Sequence, residues 1–248
     1  MAHEQPPHLF PGDDDIDSTF DDDDKSTTTL DPAELHTTCI YGREYTSAYE
    51  GACSCTPTHG KYQEVMDFQY WSATGEPGWS LHLAPPKGNI QLVLDIGTGI
   101  GSWAIQFAET HPRSTVIGTD IAPIQPLRIP HNVQFELDDC NRDWTWNPRS
   151  FDYVHICNMA GNVKDWPRLF RMTGQSTRIG DFIESSEDSI LLGSTILGSP
   201  LPRILQVWNL SIVLAGIRSG RSFHVVECDQ QVRSMVGVGI EVIHTDHS

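Results

Sequence analysis

Asp95-Ile-Gly97-Thr-Gly99-Ile-Gly101 is the stretch whose residue types and spacing most directly suggest chemistry. Glycine adopts positive φ at no steric cost and lets a ligand approach the backbone without an intervening Cβ. The dinucleotide fingerprint is G-x-G-x-x-G, with a pyrophosphate seated on a helix N-terminus. Here the spacing is G-x-G-x-G and an acid leads it, which disfavours a pyrophosphate and suits a cationic ligand. Asp120 lies 19 residues after Gly101, in a position to accept hydrogen bonds from two ribose hydroxyls. Asp138-Asp139 come later, where a carboxylate can accept from an adenine amino group.

A nucleoside bearing positive charge satisfies all three acidic positions. S-adenosylmethionine, a sulfonium with an ammonium group, fits them better than a nicotinamide dinucleotide does. His155 is the one histidine near this edge and the candidate general base for an acceptor that must lose a proton. Strand alternation equally allows it to be a buried, hydrogen-bonded core histidine. No Ser-His-Asp or Cys-His arrangement points to covalent catalysis. Cys53-Ser-Cys55 with Cys39 and His59 has a spacing shorter than zinc sites use, and no second cysteine pair follows, so no metal is expected.

Composition narrows the function classes. The chain has 248 residues, 38% hydrophobic and 20% charged, enough for a buried core. With 16 Lys+Arg against 33 Asp+Glu, its formal charge of −17 argues against nucleic acid and anionic membranes as partners. Residues 1–36 hold 11 of the acids and a single base. They read as a disordered acidic tail, because like charges repel and little there can be buried. Met1–Pro11 lacks the basic and apolar regions of a signal peptide, and six cysteines are too sparse for a disulfide scaffold. Both readings point to an intracellular protein, in cytoplasm or nucleus. Ile204–Ile217 is apolar but too short for a membrane span. It reads as a core helix, with Leu201, Leu205, Trp208, Ile212 and Ala215 on one face.

The candidate residues need elements to position them. Residues 37–90 are rich in aromatics and read as a partly helical lead-in that packs on the main domain and covers its ligand site. From residue 91 strands alternate with helices: strands at 91–95, 115–120, 133–137 and 151–157, and a helix at 102–110 ended by Pro112. Continuous apolar strands between helices imply an α/β fold, doubly wound around a mostly parallel sheet. Ligands bind beyond the C-terminal strand ends of such sheets, where the glycine loop and the acids fall.

The words VLDIGTGIGSWAIQFA (93–108), VIGTDIAPIQP (116–126), NVQFELDDC (132–140) and FDYVHICNMAG (151–161) resemble class I S-adenosylmethionine-dependent methyltransferases. More narrowly, they resemble the fungal LaeA-like methyltransferase group. Tyr41-Gly-Arg43-Glu-Tyr45 and Ser219-Gly-Arg221-Ser-Phe223 are similar to further words of that group. The resemblance implies S-adenosyl-L-methionine as cofactor, with Asp95, Gly97, Gly99 and Gly101 at its methionine end. It further implies Asp120 at the ribose, Asp139 and the Cys140 backbone at the adenine, and Asn158 near the donor sulfur.

Three departures from the group's pattern stand out. Arg171–Gly180 replaces a full helix and a Pro-Gly-Gly turn, although a strand over 179–185 remains expected. Gly237 and Gly239 fall where a helix closes. A late strand is expected at 241–245, and with the chain ending at Ser248 one sheet edge is expected to be thin. The resemblance implies methyl transfer to a small molecule or protein in fungal secondary metabolism. Its alternative is a weakly active or inactive regulator working through protein partners. A nicotinamide-dependent oxidoreductase is the lesser alternative.

Overall fold

Three short apolar runs, Leu92–Ile96 (β3), Thr115–Asp120 (β4) and Phe151–Cys157 (β6), set the centre of the fold. They lie side by side with consecutive residues buried on both faces, which only a sheet covered on both sides allows. Val133–Leu137 (β5) and Thr177–Ser186 (β7) complete a parallel sheet of order β5-β4-β3-β6-β7. The computed structural model describes residues 35–47, 54–76, 78–84, 88–192 and 200–243. All but the last two residues of the expected acidic tail lie outside these, as does Cys53.

Alternation along the strands divides the core. Leu94, Ile96, Val154 and Ile156 face Trp166, Leu169 and Phe170 of the helix Trp166–Ser176 (α3). Val93, Val116 and Tyr153 face Trp103, Ala104, Phe107 and Ala108 of Ser102–Thr110 (α2). The doubly wound α/β class expected from the sequence is the observed one. Asp165 caps α3 by accepting from the Arg168 N–H at 2.9 Å, and Pro167 occupies the first turn, where a missing N–H costs nothing. The helix then passes straight into β7: the Thr177 hydroxyl donates to the Thr173 carbonyl at 2.8 Å, so no separate turn is needed.

The lead-in holds a helix, Gly60–Thr74 (α1), as expected, and also a hairpin of His36–Ile40 (β1) and Arg43–Ser47 (β2) that the sequence reading missed. Tyr41 and Gly42 make its turn with φ of 49° and 75°. Its strands are short and polar, which left no apolar alternation to recognise. Backbone groups of the lead-in bond to side chains of β7 and α2. Leu83 and Ala84 donate their N–H groups to Glu184 at 2.7 and 3.0 Å, and the Trp103 indole donates to the Leu81 carbonyl at 2.7 Å.

Two expectations fail after β7. Arg203–Ser219 (α4) is a helix, but of its residues only Gly216 is buried, and Trp208 is 52% exposed. Of the face expected to be core, Leu201, Leu205 and Ile212 are half-buried while Trp208 and Ala215 are exposed, because among the described residues no further strand extends the sheet beneath it. Residues 241–243 form no strand, and 244–248 lie outside the described residues. Gln230–Gly237 (α5) instead packs against α3 and ends at Gly237, with Gly239 two residues on at a φ of +86°.

Candidate functional site

In this sheet the chain runs outward through β3, β4 and β5, then returns to the other side of β3 as β6 and β7. The strand order reverses between β3 and β6, and in open α/β sheets the crevice above that point is where ligands bind. A cleft open to solvent lies there.

Gly97 and Gly99 form part of its floor with φ of +72° and +58°. Their positive φ disfavours any other residue, and two methionine side chains fill the space a Cβ would take. A Cβ on Gly97 would meet the Met159 sulfur at 2.1 Å, and one on Gly99 would meet the Met66 methyl at 2.6 Å. Gly97 and Thr98 both donate to the Thr119 carbonyl, at 2.8 and 2.9 Å, which fixes the loop to the end of β4. Gln125 adds a donor to the Gly99 carbonyl at 2.6 Å, a contact no sequence motif announced.

Asp120 stands at the tip of β4. Its Oδ2 accepts from the Gly99 N–H at 2.9 Å and its Oδ1 from the Ala122 N–H at 3.0 Å. Burial nevertheless pushes its pKa up to about 6, more than these bonds hold it down. A carboxylate has about four lone-pair sites, so Asp120 retains capacity for ligand hydroxyls. Asp138, Asp139 and Cys140 line the cleft after β5. Burial raises the carboxyl of Asp138 and pushes the Cys140 thiol up to about 12, which keeps that thiol protonated and unreactive at neutral pH. Asp139 is buried and accepts from the Asn141 backbone and side chain at 3.0 and 2.9 Å. Asn141 in turn donates to the Asn162 carbonyl at 3.0 Å, joining the loops after β5 and β6.

Asn158 follows β6 with φ of +54°, a left-handed conformation that asparagine tolerates, and it lines the cleft. The residues after it are held by Glu187, whose carboxylate accepts from the Met159 and Ala160 N–H groups at 2.8 Å each. Burial raises Glu187 to about 7. The lead-in contributes Ser54, Thr56 and Met66 to the cleft wall, and Lys164 and Arg221 add two cations. Arg221 donates to the Gly161 carbonyl at 2.9 Å, and Asn162 accepts from the Cys55 N–H at 2.8 Å, so the lead-in and the loop after β6 meet at the rim. Arg221 falls within the resembling stretch Ser219–Phe223, and Lys164 lies three residues past FDYVHICNMAG, but neither stood out as a site residue in the sequence.

Seven of the expected residues therefore line one cleft: Gly97, Gly99, Asp120, Asp138, Asp139, Cys140 and Asn158. Asp95, Gly101 and His155 do not. Asp95 is 3% exposed, and both its oxygens are engaged, by the Thr98 hydroxyl at 2.6 Å and by His155 Nδ1 at 2.7 Å. His155 lies flat on Trp103, with ring centroids 3.8 Å apart, and is placed beneath the loop rather than at the cleft as a base. Gly101 starts α2 with φ of +83° and packs against Phe135. Among the described residues no group of three or more metal-ligating side chains occurs. No helix among them is long and apolar enough to cross a membrane.

A positive-φ glycine floor, a desolvated carboxylate at the second strand tip and further acids after the third fit an adenosyl ligand. A protein-family profile described as a methyltransferase domain matches residues 79–197. Methyltransferase pytC of Aspergillus terreus is 32% identical over 209 residues, covering 84% of this chain and 64% of that protein. The secondary metabolism regulator laeA of Aspergillus fumigatus is 38% identical over 164 residues, covering 65% of this chain and 43% of that protein. This chain spans less than two thirds of the length of these relatives. An S-adenosylmethionine-dependent methyltransferase from Mesorhizobium loti shares the fold, with a TM-score of 0.50 at 20% identity over 66% of this chain and 80% of that one. Residues 79–197 thus match a methyltransferase domain on the fold of S-adenosylmethionine-dependent methyltransferases, and the chain is similar to the fungal methyltransferase pytC and to LaeA regulators.

Proposed function

We propose that the chain transfers a methyl group from S-adenosylmethionine to a small-molecule or protein acceptor in fungal secondary metabolism. The observation that carries this reading is the placement of Asp120, a carboxylate with spare acceptor capacity, beside Gly97 and Gly99 in the wall of one cleft. When bound, S-adenosylmethionine supplies an electrophilic methyl group on a sulfonium. Gly97 and Gly99 would hold its methionine end, Asp120 its ribose, and Asp138, Asp139 and the Cys140 backbone its adenine.

Methyl transfer by direct displacement needs chiefly near-attack positioning and exclusion of water. Asn158 and Met159 after β6, with Ser54, Thr56 and Met66 of the lead-in, line the cleft and would flank the acceptor and the donor sulfur. No histidine lines the cleft among the described residues, so we assign the rate enhancement to positioning and leave His155 a supporting role. The similarity to laeA supports a second reading, a regulator acting through protein partners, and the sparse cysteines support a cytoplasmic or nuclear site for either.

Calorimetric titration with S-adenosylhomocysteine tests the donor site. Micromolar binding that weakens at least tenfold in Asp120→Ala is expected, in line with about 1.5–3 kcal/mol for hydrogen bonds to a charged group. Absence of binding by a folded chain would overturn the reading.

A further inference from the structure

The outward face of α4 is apolar along its whole length and bracketed by arginines. At 100° per residue, Arg203, Val207, Leu210, Leu214 and Arg218 fall along one line of the helix. Val207 is 54% exposed, Leu210 58% and Leu214 44%, with Ile204, Trp208 and Ile217 exposed beside them. The opposite side carries Leu205, Asn209, Ile212, Val213 and Gly216, the residues turned toward the protein. That side is pinned: Asn209 exchanges hydrogen bonds with the backbone N–H and carbonyl of Leu192, both at 2.9 Å. Gly216 lies so near the Arg221 carbonyl that a Cβ would meet it at 2.6 Å. The helix is thus seated on one face and cannot roll its apolar stripe inward.

Charge identifies what the stripe accommodates. Residues 189–226 contain no Asp or Glu, in a chain with 33 of them, while holding Arg203, Arg218 and Arg221. A contiguous exposed apolar surface of this kind marks an interaction site. A second copy would set Arg203 and Arg218 against the same two arginines in either parallel or antiparallel helix pairing, and like charges there oppose association. An anionic membrane would have to accept the remaining chain's large negative charge.

We propose that α4 docks a partner protein's amphipathic helix whose apolar stripe is flanked by carboxylates at both ends. The two arginines pair with those carboxylates at the rim, while Val207, Leu210 and Leu214 pack against the partner's stripe. The site is separate from the methyl-donor cleft, and the proposal does not rest on the function assigned to that cleft.

The test uses the full chain and two labelled 18-residue helical peptides with one leucine stripe, ended by glutamates in one and lysines in the other. Fluorescence anisotropy should show the glutamate peptide binding at least tenfold tighter. Val207→Asp with Leu214→Asp should abolish binding, and Arg203→Glu with Arg218→Glu should reverse the preference. Unchanged S-adenosylhomocysteine affinity and melting temperature in both variants establish that they remain folded. If those variants unfold, Arg203→Gln with Arg218→Gln serves instead and should erase the preference between peptides. Equal binding of the two peptides, or binding of neither, overturns the proposal. So does a stable dimer in sedimentation that Leu214→Asp dissolves, or co-sedimentation with phosphatidylserine vesicles.

Discussion

Asp95 and His155 are register partners on adjacent parallel strands, and His155 Nδ1 donates to Asp95 Oδ1 across 2.7 Å of buried sheet. The carboxylate's other oxygen takes the Thr98 hydroxyl, so one buried acid joins β6 to the glycine loop. Removing one partner leaves the other's polar atom unsatisfied. His155→Ala also opens a void beside Trp103, and together these should cost roughly 2–4 kcal/mol of stability. Denaturant midpoints check this. His155→Gln should retain S-adenosylhomocysteine binding within a few-fold, whereas a catalytic base would show its loss in the pH profile of turnover with stability intact.

Asp120 gives the cleft a pH dependence. Its carboxyl sits near 6 in the folded chain, and ribose hydroxyls donate to the ionised form. Below that value the free protein must lose a proton to bind, so affinity for S-adenosylhomocysteine should fall about tenfold per pH unit. Titrations at pH 5, 6 and 7.5 should show this in the native chain, and Asp120→Asn should bind weakly with little pH dependence.

Folding raises Glu187 from its usual 4.5 to about 7. Between these values the folded chain binds more protons than the unfolded one, so this group's contribution to stability is present at low pH and is lost as pH rises through 7. Melting temperature should therefore decline from pH 5 to pH 8, and less so in Glu187→Gln. Glu187→Ala, which frees the Met159 and Ala160 N–H groups, should weaken S-adenosylhomocysteine binding because Asn158 and Met159 line the cleft.

Two glycines separate backbone strain from crowding. Gly42 and Gly101 have φ of +75° and +83°, but a Cβ at Gly42 meets nothing within 4 Å while one at Gly101 meets the Phe135 ring at 2.3 Å. Gly42→Ala should cost about 1–2 kcal/mol from the left-handed conformation alone. Gly101→Ala should cost roughly 2–5 kcal/mol, because overpacking adds to that strain. Chemical denaturation of the two variants checks the difference.

Much of the fold was readable before any coordinates, because it is written in local patterns. The β3, β4, β5 and β6 strands carry short apolar stretches, and α2 begins after a glycine and ends before Pro112. By contrast, α3 runs on to Ser176, past the point where the sequence was expected to shorten it, because its last turn bonds straight into β7. The hairpin β1–β2 was not readable, since a polar two-stranded ribbon has no apolar period. Seven cleft residues were legible for the same local reason, each lying just past a strand end where an α/β sheet places its ligand. Ser54, Thr56, Met66 and Arg221 were not, because they reach the cleft from far along the chain.

The sequence by itself determined the parallel sheet, the glycine loop and the acids at its rim, through residue spacing and side-chain polarity. Only the tertiary structure decided which of these acids face the cleft. Asp95 was turned under the loop by its cross-strand histidine, and Asp120 was left at the rim. It likewise decided that α4, as apolar as a core helix in sequence, lies with its stripe in solvent. Apolar content records what a helix can bury, whereas the strands beneath it, ending at β7 among the described residues, settle whether it is buried.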